Sequence, residues 1–567
     1  MILSSAEKIK SYTEKGWWGA RTLDDLLQAA RQATPDRLAL LDAPNRRDFT
    51  DGAPQRLTYA ALGDLVDQIA VRFIRAGLTR DDIVCTQLPN IVDGVAVLLA
   101  AARLGVIVSP IPVQYREHEV SHILKFTAAR AFVTVKAFKD HSPTEMMVKI
   151  RGQLPALQHV FTFDQDETNG LPRDPVPLSP DDRDLLRNYL DRIRPTANDI
   201  VTICWTSGTE ANPKGVPRSH NHWFAIGHVC SEAGQLSDGD RLLNPFPMVN
   251  MAAIGSMLFP WLMCRGTLIQ HHPFDLPVFL EQITKEKVNY TIAAPALLNM
   301  LLKNEDILAH ADLSSLKCLG SGSAPLSPWM VEGWQEKYGI GVMNFFGANE
   351  GTALFSSMQD IPDPAERARF FPRFGVAEFT WKPRAAGWMK TRLVDPDTGE
   401  EITEPDRAGE LRITGATIFD GYFRAEEKND EIFDEQGYYK TGDTFKIAGA
   451  GKLSRFYKYV GRSKEIIIRG GMNISPGELD GLFDSHPKVK EAAAVGYPDD
   501  SMGERVCAVI VPHEGQTLTL EELNAHLREK NIAVFKLPEK ICLVNSLPRN
   551  PMGKVMRRDL IKYITSS

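Results

Sequence analysis

The stretch Thr206-Ser207-Gly208-Thr209-Glu210-Ala211-Asn212-Pro213-Lys214-Gly215 follows the apolar run Ile200-Val-Thr-Ile-Cys-Trp205. The run reads as a buried strand bounded by turn residues. A strand that opens into small and hydroxyl-bearing residues and ends on Lys is suited to hold an anion. Small residues let backbone N–H groups converge, hydroxyls add donors, and Lys214 adds positive charge. The phosphate loop G-x-x-x-x-G-K-[ST] of kinases and GTPases is not met, because Pro213 precedes Lys214 and Gly215 follows it. Alone, the stretch reads equally well as a polar surface loop. The rest of the chain has to decide.

Upstream, strands expected over 82–88, 106–111, 131–135 and 159–162 alternate with helices over 60–70, 92–103, 118–127 and 144–154. Thr22 caps a further amphipathic helix before them. This alternation signals a parallel, helix-covered sheet. Residues 165–198, rich in Asp and Pro, read as a connecting surface segment. Downstream, helices are expected over 223–233, 279–287 and 295–303, with strands over 240–244 and 288–292. From about Gly409, short strands between Gly, Asp and Asn turns indicate a β-rich piece. Beyond Gly461 follows a smaller α+β segment with strands over 465–468, 491–495 and 506–511. The expected fold is α/β: a large multi-sheet N-terminal domain over 1–462 and a small mobile α+β domain over 463–567. The larger one holds two helix-covered sheets and a β-rich subdomain.

The 567 residues are 43% hydrophobic and 24% charged, ordinary for a globular protein, and the net charge of −7 gives no support for nucleic-acid binding. Seven scattered cysteines, without a C-x-x-C pair, point to reduced thiols packed as small apolar residues and to a cytoplasmic location. Residues 245–264 carry no charge, but Pro247, Asn250, Gly255 and Pro260 would leave backbone groups unpaired in lipid. A buried helix with a pocket-facing start is expected there, and no membrane span.

Five further stretches stand in order behind the opening one: Gly320-Ser-Gly-Ser-Ala-Pro325, Asn344-Phe-Phe-Gly-Ala-Asn-Glu350-Gly, Tyr438-Tyr-Lys-Thr-Gly-Asp443, Gly461-Arg-Ser-Lys-Glu-Ile-Ile-Ile-Arg-Gly-Gly471 and Pro548-Arg-Asn-Pro-Met-Gly-Lys554. In this order the chain resembles the class I adenylate-forming enzymes: acyl-CoA synthetases, aryl-acid adenylating enzymes, peptide-synthetase adenylation domains and luciferases. The resemblance covers nearly the whole chain. It implies a two-step ligase in which a carboxylate attacks ATP to give acyl-AMP and pyrophosphate, and a thiol, usually of coenzyme A, displaces AMP.

The resemblance also assigns residues. Thr206, Ser207, Gly208, Thr209 and Lys214 would wrap the β/γ-phosphates. Gly322, Ser323, Ala324, Pro325, Phe345, Phe346 and Gly347 would form the adenine slot, with Asn344 offering amide donors and acceptors to the base edge. Glu350 is the expected Mg²⁺ ligand, Asp443 would accept from both ribose hydroxyls, and Arg462 would assist there. Lys554 would bridge the acid carboxylate and the α-phosphate, with Glu350 and Lys214 as its catalytic partners. Lys464 matches the hinge about which the small domain rotates between half-reactions, and Gly470 and Gly471 would approach coenzyme A. Three positions depart from the family pattern: Glu210 and Ala211 stand where Thr and Gly are usual, and Asn349 where many members carry Thr. Glu210 is expected to point away from the triphosphate.

The acyl group would meet Phe246, Asn250, Met251, Gly255, Ser321, Gly322, Ala348 and Asn349. No Asp stands where it would pair an amino group, and Val249-Asn250 replaces the His-Asn of the dihydroxybenzoate enzymes. Gly16-Trp-Trp18 and Tyr115-Arg-Glu-His-Glu-Val are similar to cyclohexanecarboxylate and medium-chain ligases. The expected partners are therefore ATP, Mg²⁺, coenzyme A and a medium-chain, alicyclic or aryl carboxylic acid, with a homodimer left open. Transfer to a separate carrier protein, or a catalytically silent nucleotide- or acyl-binding protein, are the competing readings.

Overall fold

The apolar run Ile200–Trp205 forms, in the computed structural model, a strand with every side chain buried. That is the environment a strand needs when it carries no polar face. The structure describes residues 1–164, 169–206, 213–405, 407–462, 465–469, 472–499, 502–530, 532, 534–550 and 553–565.

This strand belongs to a six-stranded sheet in the order His159–Phe161, Ala131–Thr134, Ile83–Gln87, Ile107–Pro110, Ile200–Trp205 and Gly215–Ser219. All neighbours are parallel except the last pair, which is a hairpin closed around residues 206–214. Successive side chains alternate between the two faces. Val84, Val108, Ala131 and Val133 pack with the helices Tyr59–Arg75 and Val92–Leu104. Ile83, Cys85, Ile107 and Phe132 pack with Glu117–Thr127 and Pro143–Ile150 on the other side.

A second sheet of eight strands runs Ala353–Ser356, Gly341–Gly347, Cys318–Gly322, Tyr290–Ile292, Arg241–Asn244, Thr267–Gln270, Leu38–Leu41 and Arg56–Thr58. It is parallel inside and antiparallel at its two outer pairs. A third, wholly antiparallel sheet joins Phe370–Pro372, Phe456–Arg462, Tyr439–Ile447, Ala408–Gly415 and Met389–Val394. In the fourth sheet, Met472–Ile474, Ile467–Arg469, Gly503–Pro512 and Val489–Asp499 are antiparallel, and Lys540–Leu543 joins parallel to Gly503–Pro512. The α/β architecture with two helix-covered sheets, a β-rich unit and a small α+β unit is thus as the sequence led us to expect.

Two local expectations are corrected. Residues 180–192 form a helix, Pro180–Arg192, inside what reads as a surface connection. Its Ser179 cap, Pro180 and two Asp residues in the first turn are helix-start chemistry that resembles loop composition, and only Leu186 and Tyr189 are buried. The β-rich unit starts at Phe370, well before Gly409. The uncharged stretch contains the expected buried helix, Met251–Ala253 running without a break through a π-turn Ile254–Leu258 into Phe259–Met263. The seven cysteines are all buried and unbridged. Among the described residues no helix is long and apolar enough to cross a membrane.

Candidate active site

The opening loop is closed at its base by two bonds: Thr206 N–H donates to the Lys214 carbonyl at 3.0 Å, and Lys214 N–H to the Thr206 hydroxyl at 3.2 Å. Ser207, Gly208 and Thr209, and with them Glu210, lie outside the described residues. The Lys214 ammonium stands 5.2 Å from the centre of the Tyr422 ring. The Tyr422 hydroxyl in turn donates to Glu350 Oε1 at 2.7 Å.

Glu350 is held at two points, its backbone carbonyl and its carboxylate. Its own carbonyl accepts from Phe419 N–H at 3.0 Å, while Tyr422 takes one carboxylate oxygen. Behind it, the Arg218 guanidinium donates to the carbonyls of Asn349 and His222, both at 3.1 Å, with its face over Trp223. Arg218 is fully buried, and burial pulls its pKa down to about 10 against the opposing charges of Cys204, Glu350 and Asp420. Among the described residues no donor is bound to Glu350 Oε2, and no group of three or more potential ligands could hold a metal alone. A single hard carboxylate of this kind fits a cation carried mostly by phosphate oxygens and water.

The two adjacent strands Cys318–Gly322 and Gly341–Gly347 build the proposed adenine slot. Gly322 sits opposite Phe345, and any Cβ there would overlap the Phe345 carbonyl. Gly320 leaves the space that the Phe345 ring fills, and that ring stacks on Phe355 at 4.3 Å. Phe346, on the opposite face, packs among Phe371, Phe445 and Tyr459. Ser323 adopts a left-handed φ of 70°, and Ser323, Ala324 and Pro325 are exposed, as is Gly347. Asn344 is buried, and its amide N–H groups donate to the carbonyls of Arg367 and Ala368. Its donors are thus committed inside the protein, and only its oxygen remains for a base edge, which narrows the expected role.

Asp443 and Arg462 face each other across neighbouring strands, with Arg462 Nε 3.4 Å from Asp443 Oδ1. Burial pushes the Asp443 carboxyl up to about 6, while Arg462 and Lys554 pull it back. Lys554 closes a turn with Asn550, whose side-chain oxygen accepts the Lys554 N–H at 2.9 Å. Although Lys554 is exposed as a residue, loss of solvent at its ammonium and the Arg462 charge lower its pKa, opposed by Glu465 and Asp443. The structure therefore brings Glu350, Asp443, Arg462 and Lys554 into one electrostatic cluster. Lys464, Gly470 and Gly471 lie outside the described residues.

Several expected acyl contacts are engaged elsewhere. The Asn250 side-chain oxygen caps Met251–Ala253 by accepting Ala253 N–H, which leaves its NH₂ as the group able to meet an acid. Ser321 gives its hydroxyl to the Ala293 carbonyl at 2.8 Å. Gly255 faces away from any open space: a Cβ there would stand 2.7 Å from Ile226 and 3.1 Å from Trp223, so its role is close helix packing. Asn349 accepts Met251 N–H at 2.9 Å and donates to the Trp205 carbonyl at 3.1 Å. It is an internal brace, with both ends of the amide used. Met251 packs on Gly347, and Phe246 and Ala348 are half-buried beside the same elements.

Tyr422 and Arg218 escaped the sequence reading. Arg218 left one signal, a charged residue inside the apolar strand that follows the loop; Tyr422 left none.

A model of the AMP-binding enzyme family matches residues 27–423, and one of the AMP-binding enzyme C-terminal domain matches residues 478–554. The medium-chain fatty-acid–CoA ligase of Escherichia coli (strain K12) is 28% identical over 568 residues, 98% of this chain and 93% of the relative. The salicyl-AMP ligase / salicyl-S-ArCP synthetase of Mycobacterium tuberculosis is also 28% identical, over 99% of this chain and 94% of the relative. The anthranilate CoA ligase AuaEII with anthranoyl-AMP superposes with a TM-score of 0.77 at 21% identity, covering 96% of this chain and 97% of that one. ATP-bound MatB from Rhodopseudomonas palustris gives 0.76 at 24% identity, covering 96% and 99%. The fold is theirs, and with a family model spanning most of its length the chain belongs to the AMP-binding enzymes and is an adenylate-forming acid ligase.

Proposed function

We propose that the protein activates a medium-chain, alicyclic or aryl carboxylic acid with ATP and passes the acyl group to coenzyme A. The observation that carries this reading is the cluster of Glu350, Asp443, Arg462 and Lys554: Glu350 lies in the first family-matched part, Lys554 at the end of the second, and Asp443 and Arg462 between them.

The first step joins two anions, so it depends on charge neutralisation and in-line positioning. Lys214 and the loop after Thr206 hold the β/γ-phosphates. Phe346, with Gly322 to Pro325, brackets adenine, and the Asn344 oxygen accepts from its amino group. Asp443 accepts from the ribose hydroxyls, with Arg462 fixing its carboxylate. Mg²⁺ bound through Glu350 supplies neutralisation of phosphate charge. Lys554 steadies the acid carboxylate oxygen as its lone pair attacks the α-phosphorus and the bond to pyrophosphate breaks. In the second step residues 463–567 rotate about Lys464, Gly470 and Gly471 come to the acyl-AMP, and the coenzyme A sulfur displaces AMP, its proton going to solvent.

The mixed relatives keep one second reading, transfer to a carrier protein, since one of those cited is a salicyl-S-ArCP synthetase. A panel of acids incubated with ATP, Mg²⁺ and coenzyme A, read by mass for acyl-CoA, tests the proposal. Acyl-AMP that accumulates in the presence of coenzyme A would replace it with the carrier reading.

A further inference from the structure

The family match starts at residue 27, yet residues before it are built into the back of the site. The helix Ala6–Glu14 places Lys8 so that its ammonium donates to Asp420 Oδ1 at 2.6 Å and to the Ile418 carbonyl at 3.3 Å. The Ser4 hydroxyl donates to the other oxygen of Asp420 at 2.5 Å. Trp18 donates its indole N–H to the Ala416 carbonyl at 3.1 Å and sets its ring edge-on to buried His222. Three N-terminal side chains thus grip residues 416, 418 and 420. His222 Nε2 approaches Asp420 from the interior at 3.5 Å. The gripped turn is the one that holds Glu350, through Phe419 N–H on its carbonyl and the Tyr422 hydroxyl on its carboxylate.

We propose that the N-terminal segment, acting through Lys8 and Ser4 on Asp420, is a positioning element for the Glu350 carboxylate in Mg²⁺–ATP binding. This rests on the reading of Glu350 as the metal ligand. Asp420 stands next to Phe419 and two residues from Tyr422, so a shift of its carboxylate moves the short segment from which both contacts reach Glu350. Neither Lys8 nor Ser4 touches Glu350 itself. A carboxylate held mostly out of water, with a donor on each oxygen, is a firm anchor for such a turn. An exposed ion pair would not be.

The test compares Lys8→Met, Ser4→Ala and the conservative Lys8→Arg with the unaltered protein. ATP binding is followed by calorimetry with and without Mg²⁺, and the two half-reactions are assayed separately. Lys8→Met is expected to weaken Mg²⁺-dependent ATP binding by roughly fivefold to tenfold, the range of remote positioning effects. Metal-free ATP binding and thioester formation from supplied acyl-AMP should stay unchanged, Ser4→Ala should shift binding in the same direction, and Lys8→Arg should restore it. Equal loss in both half-reactions with a lower melting temperature would reduce the segment to a stabilising role and overturn the proposal. Glu350→Gln separates the two layers. If it weakens Mg²⁺-dependent binding while Lys8→Met does not, the brace alone is wrong; if it has no effect, the metal assignment fails and the brace with it.

Discussion

Asn349 accepts the backbone N–H of Met251 at 2.9 Å, and through the same amide it donates to the carbonyl of Trp205 at 3.1 Å. One side chain therefore joins the end of the strand that opens the phosphate loop to the start of the acyl-side helix, one residue before Glu350. Asn349→Ala leaves both backbone groups without this partner, and an unpaired buried group costs about 1–3 kcal/mol. The melting temperature should fall, and the KM for ATP and for the acid should rise together, because the brace spans both subsites. Asn349→Thr can satisfy one partner and should fall between the two. Steady-state kinetics with each substrate varied in turn checks this; a rise confined to the acid would return Asn349 to the acyl wall.

Asp443 sets a pH limit. Its carboxyl is pushed up to about 6 by burial, with Arg462 and Lys554 opposing. Only the ionised form can accept from two ribose hydroxyls without presenting a proton. Pyrophosphate release at low ATP should therefore fall below pH 6, approaching about tenfold per unit. The stability sign is opposite: because the folded value lies above the unfolded one, this group's stabilising contribution is present at low pH and is lost as pH rises through about 6. Activity on the acid side should thus drop while this carboxyl favours the fold. Asp443→Asn should lower activity and abolish that limb of the profile, as a pH series on both proteins would show.

The six ordered motifs made the fold class and the cluster around Glu350, Asp443, Arg462 and Lys554 legible, since each motif carries its residues at short spacing. What stayed hidden depends on contacts between distant parts of the chain. Tyr422 reaches Glu350 across 72 positions and Arg218 reaches Asn349 across 131, and no local pattern encodes either pairing. Gly255 looked like a pocket wall because small residues serve both open space and close packing; only its neighbours Ile226 and Trp223 decide between them. In sequence the amides of Asn344 and Asn349 suit a ligand equally well, and in the structure backbone groups claim them first.

Lys554 should separate the half-reactions. Its ammonium lies in range of Asp443 and Arg462, on the last segment of the family-matched C-terminal domain. Removing a donor aimed at developing charge costs about 10²–10³ in rate. Lys554→Ala is expected to reduce acid-dependent pyrophosphate release by that order and to leave thioester formation from supplied acyl-AMP within about twofold. Rapid-quench assays of each half-reaction measure the split, and equal losses would count against a rotating small domain.

The same rotation makes a prediction at the seam between the two parts. The Lys303 ammonium donates to the Asp484 carbonyl at 2.8 Å and lies 5.9 Å from the centre of the Trp329 ring. Close by in sequence, Gly477 approaches Pro325 so closely that a Cβ would stand 2.9 Å from its ring. These contacts belong to the arrangement in which Lys554 faces Asp443; under the proposed rotation they would favour adenylation and would break for acyl transfer. A charge-assisted hydrogen bond contributes about 1.5–3 kcal/mol at most, and the portion that differs between the two arrangements shifts their populations. Lys303→Ala, and separately Gly477→Ala, should slow pyrophosphate release about threefold to tenfold while thioester formation from acyl-AMP is unchanged or faster. If both variants slow the two steps equally, the seam stabilises the fold without selecting a state, and the bias toward adenylation has to come from Lys554 and its ligands alone.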